Sequence, residues 1–420
     1  MSDVFRILIT DNQSNMSVFK DHKVSVKQLL GVIPEALLSN LSLTTKVDYY
    51  TKVLHGKKLF YLLLYGIIEN EKLSQRSLED TFNDYLFKTL FDLDKSETVR
   101  RSSISERLSK IDSNYFKQIY QCVYNQFHEL YCEKDREKHH LIHVDSSMVS
   151  EASAKLLKGI DHKNGKKSVK YSVAFDGLLP CGSEVFMESK YSSEDMALPQ
   201  VIKTHVKQQV HHQNIYVIDR GLQSTRTMKN FSGNHISFIA RAKENRKYVE
   251  LESLLDNNQD LDLGELTLIK DSKVNLYTGK AINNKKGNIH YRHELVDTPF
   301  RLIIAKTKTE EPKEFWFITN EFNLSAKEIT KAYRRRWDIE VFFRFIKQEL
   351  NVSHLVSLNK NGIQVMLYMT LIVAMLILIY KKANNLSYKT AKRRCKMELR
   401  NLAIAMIVVI CDGNLDLLKT

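Results

Sequence analysis

The residues best suited to chemistry lie in one segment, YRRRWDIEVFFRFIK, at positions 333–347. Four of its side chains could bind metal or phosphate and stand at offsets of 0, 3, 7 and 14 residues: Tyr333, Arg336, Glu340 and Lys347. At about 100° per residue these offsets fall within an arc of about 60°, which predicts one continuous helix with all four on one face. Residues 331–347 include six basic and two acidic side chains. A carboxylate in so basic a row suits a metal ion and a phosphate backbone, and a salt-bridged surface helix is the alternative.

Two further carboxylates belong to apolar segments of strand length. Asp145 lies inside or at the end of the strand LIHVD, and Asp219 ends NIYVID. An aspartate that ends a buried strand is usually a turn former, so neither alone indicates catalysis. With Glu340 they make a set of three, and carboxylate oxygens are the preferred ligands of hard divalent cations. Two such ions, about 3.5–4 Å apart, can clamp the attacking and leaving oxygens of a phosphodiester.

These motifs together resemble a known family. D-S-S at 145–147, D-R-G at 219–221 and Y-x2-R-x3-E-x6-K at 333–347 are similar to the DDE transposases of bacterial insertion sequences, and more narrowly to their IS-four-type branch. The resemblance covers residues 141–350 and is only general, helical and basic, over the first 135 residues. It implies a ribonuclease-H-like α/β fold, in which a mixed sheet is flanked by helices. A β-rich insertion, an all-α N-terminal domain and a helical C-terminal tail complete the expected fold.

The activity that the resemblance implies is cut-and-paste DNA transposition. In that family the three acids hold two Mg²⁺ ions, for which Mn²⁺ can substitute, and the ions activate first water and then a DNA 3′-hydroxyl. The resemblance therefore assigns Asp145, Asp219 and Glu340 as catalytic residues and metal ligands. It also implies cleavage at the element ends, a hairpin intermediate, and strand transfer into target DNA.

The resemblance also implies contacts with double-stranded DNA, at the transposon ends and the target. Five residues are expected to make them: Tyr333, Arg336, Lys347, Arg220 and Trp337. An aromatic side chain that stacks on a flipped base is expected from the insertion, and Trp316 is the only tryptophan there. The segment WFIT that contains it is equally typical of a buried strand.

Helical and strand patterns divide the chain into regions. Apolar residues recur every three or four positions from about 27 to 127 and again from Ser325. Between them, short apolar runs and one polar helix predict a mixed sheet with helices on its faces. We expect a helical DNA-end-binding domain (1–135), a first part of the catalytic domain (136–243), the β-rich insertion (244–320), a second catalytic part (321–380) and a basic helical C-terminal region (381–420).

Charge and cysteine usage narrow the class of protein. The 420 residues include 63 Lys and Arg against 49 Asp and Glu, a formal net charge of +14, which favours a polyanionic partner such as nucleic acid. Residues 381–400 hold eight basic residues and one acid, which favours contact with a DNA backbone over a solvated helix. The five cysteines form no C-x-x-C pair, which excludes zinc ribbons and disulfide scaffolds and is typical of a reducing cytoplasm.

One uncharged run of sixteen residues, Val365 to Tyr380, raises the question of a membrane. A transmembrane helix needs about 20 apolar residues, and helices that are apolar all round also lie in the centre of large domains. We predict a buried core helix and no membrane. The N-terminus lacks the pattern of a secretory signal, and we expect a cytoplasmic protein.

Two other functions stay open from the sequence. The first is a transposase-derived DNA-binding protein that no longer cuts, although all three acids are intact. The second is a membrane protein with one or two spans near the C-terminus. For an active transposase, the family implies a homodimer in the DNA complex, because joining both ends needs two active sites held together.

Overall fold

The computed structural model describes residues 24–129, 140–151, 156, 158–162, 165–208, 214–255, 261–283 and 289–414. The chain forms two compact units. The first is drawn from residues 1–135, 149–169 and 342–420, and the second from residues 136–148 and 170–341.

The secondary structure confirms an α/β chain. Its helices are α1 (Val26–Gly31), α2 (Glu35–Thr45), α3 (Gly56–Glu69), α4 (Gln75–Asn83), α5 (Tyr85–Leu90), α6 (Arg101–Lys110), α7 (Ser113–Glu129), α8 (Glu194–Gln208), α9 (Thr225–Gly233), α10 (Ala326–Arg334), α11 (Trp337–Glu349), α12 (Lys360–Ala383) and α13 (Tyr388–Ile410). Its strands are β1 (His140–Glu151), β2 (Ile160–Asp161), β3 (Lys167–Phe175), β4 (Pro180–Phe186), β5 (Asn214–Ile218), β6 (Ser237–Ala242), β7 (Tyr248–Ser253), β8 (Leu266–Asn283), β9 (Ile289–Thr307) and β10 (Glu314–Thr319).

The first unit is built around the apolar helix α12. Its side chains from Val365 to Tyr380 are buried, and it packs against α3, α6, α7 and α13. Of the helices in the described part of the chain, it is the one long and apolar enough to cross a membrane, and 94% of its most apolar window is buried inside the protein. The prediction of a buried core helix is therefore confirmed.

Three basic side chains of α13 make contacts within the first unit. Lys396 Nζ donates a hydrogen bond to the carbonyl of Glu69 at 2.7 Å, Arg400 pairs with the carboxylate of Glu69, and Lys392 donates to a carbonyl in α11. These three side chains thus make contacts within the unit, and the predicted contact of residues 381–400 with a DNA backbone stays a prediction. Arg393 and Arg394 are exposed. A contact between this segment and a DNA backbone would use exposed basic residues such as these two.

The second unit contains most of a mixed sheet. In the described residues the strand order is β2-β3-β1-β5-β6-β10-β9-β8-β7, with β4 paired to β3. Strands β1, β5 and β6 run parallel, and β6 to β10 to β9 to β8 to β7 is antiparallel. The order β4-β3-β1-β5-β6 is the ribonuclease-H-like arrangement that the resemblance implies.

Helices cover the sheet of the second unit. Helix α8 packs on β4, α9 packs on β6, β8 and β9, and α10 packs on β5 and β6. Ile329 and Tyr333 of α10 join one apolar cluster with Val217 of β5 and Phe317 of β10. Because α10 is fixed to the middle of the sheet in this way, its C-terminal end has a defined position relative to β5.

A buried ion pair joins β8 to β9. Arg301 donates from Nε to Oδ1 of Asp271 at 2.8 Å and from Nη2 to Oδ2 at 2.6 Å. The two side chains are only 6% and 0% exposed. Nη1 of Arg301 donates to the carbonyl of Leu324, immediately before Ser325, the N-cap of α10. The pair therefore fixes the start of the helix that carries Tyr333.

Replacing one member of this pair is expected to destabilise the fold strongly. Arg301→Met leaves the Asp271 carboxylate buried without its partner, and such losses destabilise proteins by about 3–5 kcal/mol. Urea unfolding measures the change. The control is Lys190→Met, whose exposed pair with Glu188 contributes at most about 1 kcal/mol. Equal changes in the free energy of unfolding for the two substitutions would show that burial of Arg301 and Asp271 does not determine the contribution of their ion pair to stability.

Candidate active site

Two of the predicted acids are brought together by a parallel pair of strands. In the register of β1 and β5, Val144 lies opposite Ile218, so Asp145 and Asp219 occupy the next positions on neighbouring strands. Carboxyl ends of parallel strands meet at one edge of a sheet, where ligands commonly bind. Strand β1 continues past Asp145 to Glu151, whereas β5 ends at Ile218.

The segment 333–347 forms two helices, so the prediction of one continuous helix is wrong. Helix α10 ends at Arg334 and α11 begins at Trp337. Between them the amide of Arg336 donates to the carbonyl of Tyr333 at 3.0 Å, and that of Asp338 to Arg335 at 2.9 Å. These bonds span three residues, as in a 3₁₀ turn, which winds more tightly than an α-helix. The rotation of about 100° per residue, which holds for a uniform α-helix, therefore does not apply across Arg336.

Arg336 stands among all three acids. Its Nη1 lies 3.8 Å from Oδ2 of Asp145 and its Nε 3.9 Å from Oδ1 of Asp219, distances of ion pairs rather than hydrogen bonds. Its Nη2 donates to Oε1 of Glu340, four residues along the chain. The guanidinium side chain is only 14% exposed. One cation thus meets the three carboxylates that the sequence singled out.

Tyr333 also belongs to this cluster. Its hydroxyl donates to Oδ1 of Asp219 at 3.2 Å, and its ring packs edge-on against Phe317 with centroids 5.1 Å apart. The guanidinium of Arg336 lies 5.8 Å from the centre of the ring. Burial raises the pKa of the Tyr333 phenol, and the charge of Asp219 adds to the shift. The phenol therefore stays protonated and can act as a hydrogen-bond donor.

The surroundings of Asp145 change the pKa of its carboxyl group. Burial raises its pKa from 3.8 to about 6, and the negative charges of Asp219 and Glu194 add to the rise. The amide of Ser146, which donates to Oδ1 at 2.7 Å, and the charge of Arg336 oppose it. Negative charge at this position is thus incompletely compensated by the protein.

The donor chemistry of the three acids fits a hard divalent cation. All three offer carboxylate oxygens, the ligands that Mg²⁺ and Mn²⁺ prefer. In the described ranges no three His, Cys, Asp or Glu side chains are grouped closely enough to enclose one ion. Arg336 contacts one oxygen of each acid instead, so a cation bound by Asp145, Asp219 and Glu340 would compete with this arginine for them.

The other predicted residues differ in where they lie. Arg220 is exposed directly after Asp219, and Trp337 is 55% exposed at the first position of α11. Trp316 is partly buried on β10, where its Nε1 donates to Glu314 at 3.0 Å. Lys347 belongs to the first unit. Their DNA contacts stay predictions.

Sequence reasoning missed a second layer of charged residues beside the acids. Glu194, the first residue of α8, accepts hydrogen bonds from Ser146 at 2.8 Å and from Lys170 at 2.9 Å. Lys170 interrupts the otherwise apolar and small-residue strand SVKYSVAF. A lysine in such a strand is a signal that could have revealed it, because charged residues are almost never fully buried unless paired.

The elevated pKa of Asp145 predicts how divalent cation binding depends on pH. A carboxylate must be deprotonated to bind metal, so Mn²⁺ affinity of the DNA-free protein should fall as pH drops through about 6. One unit below the pKa about a tenth of the group is ionised, so affinity at pH 5 should be about tenfold lower than the high-pH limit. Mn²⁺ titration followed by electron paramagnetic resonance measures it.

Asp145→Asn is the control for this pH dependence. It should bind Mn²⁺ weakly throughout and lack the change near pH 6. An affinity that stays constant in the wild type between pH 7 and pH 5 would contradict the assignment.

This chain is also similar to known transposases in sequence. The family described as "Transposase DDE domain" matches residues 136–376. A Synechocystis protein named as a transposase for insertion sequence element IS4SA is 25% identical over 353 residues, which is 83% of this chain and 87% of that protein. A Geobacillus stearothermophilus protein named as a transposase for IS5377 is 28% identical over 171 residues, 41% of this chain and 40% of that protein.

A solved structure is also similar. The piggyBac transposase in a synaptic complex with hairpin DNA aligns with a TM-score of 0.45 and 10% identity, over 97% of this chain and 80% of that one. The family match covers more than half of the chain and includes Asp145, Asp219 and Glu340. The chain therefore belongs to the DDE transposases, and it is a transposase of an insertion sequence.

Proposed function

We propose that this transposase cuts DNA at the ends of its insertion sequence and joins those ends to target DNA, with Asp145, Asp219 and Glu340 as the catalytic acids. The observation that carries the proposal is the convergence of these three carboxylates on Arg336. They come from β1, from the loop after β5 and from α11. Carboxylates from three separate elements thus contact one arginine side chain.

Metal ions supply the electrophilic chemistry on this proposal. Asp145, Asp219 and Glu340 would hold two Mg²⁺ ions, which polarise the scissile phosphate and lower the pKa of the attacking water or 3′-hydroxyl. The protein contributes the alignment of the acids. Tyr333 holds Asp219 through its hydroxyl, and the partial burial of Asp145 keeps water from screening its charge.

Arg336 has two roles in this scheme. In the DNA-free protein it is the counter-ion of the three acids. With the acids engaged in holding metal, the guanidinium would be available to bind a phosphate of the transposon end, for which its planar fork is suited. Trp337 and Arg220 are exposed near Arg336 and Asp219 in sequence, and we assign them to the same DNA.

The remaining parts of the reaction follow from the family. We infer that the ends are released through a hairpin intermediate and that a homodimer holds both ends in the DNA complex. Trp316, half-buried beside Tyr248 with ring centroids 6.0 Å apart, is our candidate for stacking on a flipped base. We expect the protein to act in the cytoplasm, where its formal charge of +14 favours binding to DNA.

A DNA-binding protein that no longer cuts is the second candidate function. It would keep the basic surface and the fold while lacking productive metal binding. The intact set of three acids and the hydrogen bond from Tyr333 to Asp219 favour the active enzyme.

Substitution of an acid should separate cleavage from binding. Asp145→Asn and Glu340→Ala remove metal ligands but keep the basic residues, so they should abolish cleavage and leave end binding unchanged. The assay uses purified protein, Mg²⁺ and a plasmid that carries the DNA flanking its own gene. Hairpin ends are resolved on a denaturing gel, and end binding is measured by gel shift.

The outcomes of this assay discriminate the candidates. Wild-type hairpins that are missing in both variants support the catalytic assignment. Normal cleavage by either variant would refute it for that acid. Tight and specific binding without cleavage by the wild type, in Mg²⁺ and in Mn²⁺, would favour the non-cutting protein. Cleaved ends without hairpins would contradict the hairpin route alone.

The assigned phosphate contacts predict a change in salt dependence. Each phosphate contact contributes about −0.9 to the slope of log affinity against log salt. Arg220→Gln and Lys347→Gln should therefore each reduce the magnitude of the slope by about 1. The slope is measured by fluorescence anisotropy with a labelled transposon end at several salt concentrations.

Lys190→Gln is the matched control for these two variants. It removes a lysine that is paired with Glu188 at 2.6 Å on the surface, and it should leave the slope as in the wild type. A slope that is unchanged in Arg220→Gln or Lys347→Gln would remove that residue from the DNA interface.

A further inference from the structure

We propose that Glu194 and Asp195, the first two residues of α8, are positioning residues that hold Asp145 and Asp219 in place, and that Lys170 is the buried counter-ion on which Glu194 depends. This inference rests on the proposed function and deepens it. None of the three residues belongs to the motifs at 145–147, 219–221 and 333–347. They come from β3, which neighbours β1 in the sheet, and from α8, which packs on β4.

Glu194 reaches Asp145 through Ser146. The hydroxyl of Ser146 donates to Oε2 of Glu194 at 2.8 Å and lies 2.7 Å from the hydroxyl of Ser172 on β3. The amide of Ser146 donates to Oδ1 of Asp145 at 2.7 Å. Because both groups of Ser146 are engaged, the residue after the catalytic aspartate has little freedom to rotate, and the orientation of the Asp145 carboxylate follows from it.

The buried side chain of Lys170 holds Glu194 in place. Its side chain is 0% exposed, against 29% for Glu194, and its ammonium donates to Oε1 of Glu194 at 2.9 Å and to the carbonyl of Ser192 at 2.8 Å. A buried ammonium is tolerated only when it is paired and hydrogen-bonded. Its two partners flank Ser193, so Lys170 anchors the start of α8 to β3.

The same helix start holds the loop that follows Asp219. Oδ1 of Asp195 accepts the amides of Gln223 and Ser224, both at 2.7 Å. Gly221 lies so close to Glu194 that an added Cβ would stand 2.6 Å from its Cγ. A glycine in the D-R-G motif is thus needed for close approach. Residues 219–224 are thereby clamped against the helix that also contacts Ser146.

Acidic residues at a helix N-terminus are common because they interact favourably with the helix dipole, so the contacts must be tested apart from the charge. Two double variants do this. Both remove the Lys170 and Glu194 charges together, so neither leaves a buried ion unpaired. Lys170→Met with Glu194→Gln keeps an oxygen that can accept from Ser146. Lys170→Met with Glu194→Leu has similar volume but no acceptor.

Two readouts compare these proteins with the wild type and with Glu188→Gln, which alters an exposed pair with Lys190. One is the single-turnover rate of cleavage of a bound transposon end in Mg²⁺. The other is Mn²⁺ affinity without DNA, which needs no activity. Unfolding midpoints and end-binding affinities are measured alongside and should agree for the two double variants.

A positioning role predicts different values for the two double variants. A misplacement of about 1 Å can slow a reaction by about 100-fold. The Leu double variant should therefore cleave about 100-fold more slowly than the Gln double variant, and loss of a supporting partner should weaken Mn²⁺ binding by about 10-fold or more. The Gln double variant should lie between the wild type and the Leu double variant, because it keeps an acceptor for Ser146 but loses the Lys170 anchor. Glu188→Gln should keep the wild-type values.

The outcomes separate this inference from the proposed function. Equal cleavage and equal Mn²⁺ affinity in the two double variants would overturn the positioning role even if the wild type cleaves normally. A wild type that does not cleave would refute the proposed function, and the Mn²⁺ affinities would still decide whether Glu194 positions the acids. Asp195→Ala should weaken Mn²⁺ binding and Asp195→Asn should retain it, because only the second keeps an acceptor for the loop amides.

Discussion

Negative charge concentrated at partly buried positions is the constraint on which the second unit depends. Asp145, Asp219 and Glu340 approach one another closely enough to share Arg336. Carboxylates in such proximity repel, and burial removes the water that would screen them. A cation is therefore needed in every state of the site. Arg336 meets that need in the DNA-free protein, and on our proposal divalent ions meet it during the reaction.

At two other places in the second unit, a buried basic side chain compensates the charge of a carboxylate. Lys170 compensates Glu194 beside the site, and Arg301 compensates Asp271 between β8 and β9. In both pairs the cation is more than nine-tenths buried and also donates to a backbone carbonyl. These cations lock elements together. Arg336 differs because its partners are the three acids that we propose to hold metal, so on this proposal its contacts would change when metal binds.

Much of this could be predicted from the sequence, because it depends on local patterns. Apolar runs such as NIYVID and LIHVD marked β5 and β1. The parallel pairing of these strands places Asp145, which lies within β1, beside Asp219, which follows β5. The break between α10 and α11 could not be predicted, because helical periodicity continues through Arg336. The lysine within SVKYSVAF indicates that position 170 needs a partner, but it does not identify that partner. Glu194 contacts residues 48 and 24 positions away in the chain, and a single sequence does not indicate such pairings.

The β-rich segment after β6 is joined to the site by more than sequence order. Strand β10 pairs with β6, with Trp316 opposite Ala242, and β9 pairs with β10. Arg301 on β9 then bonds the carbonyl of Leu324, one residue before the N-cap of α10. Helix α10 ends in the turn that presents Arg336 to the acids. A DNA contact made by this segment, including one through Trp316, would therefore involve strands that are linked to Tyr333. The link consists of the buried pair of Arg301 with Asp271 and helix α10. On our proposal, the same sheet would thus link recognition of the transposon end to alignment of the three acids.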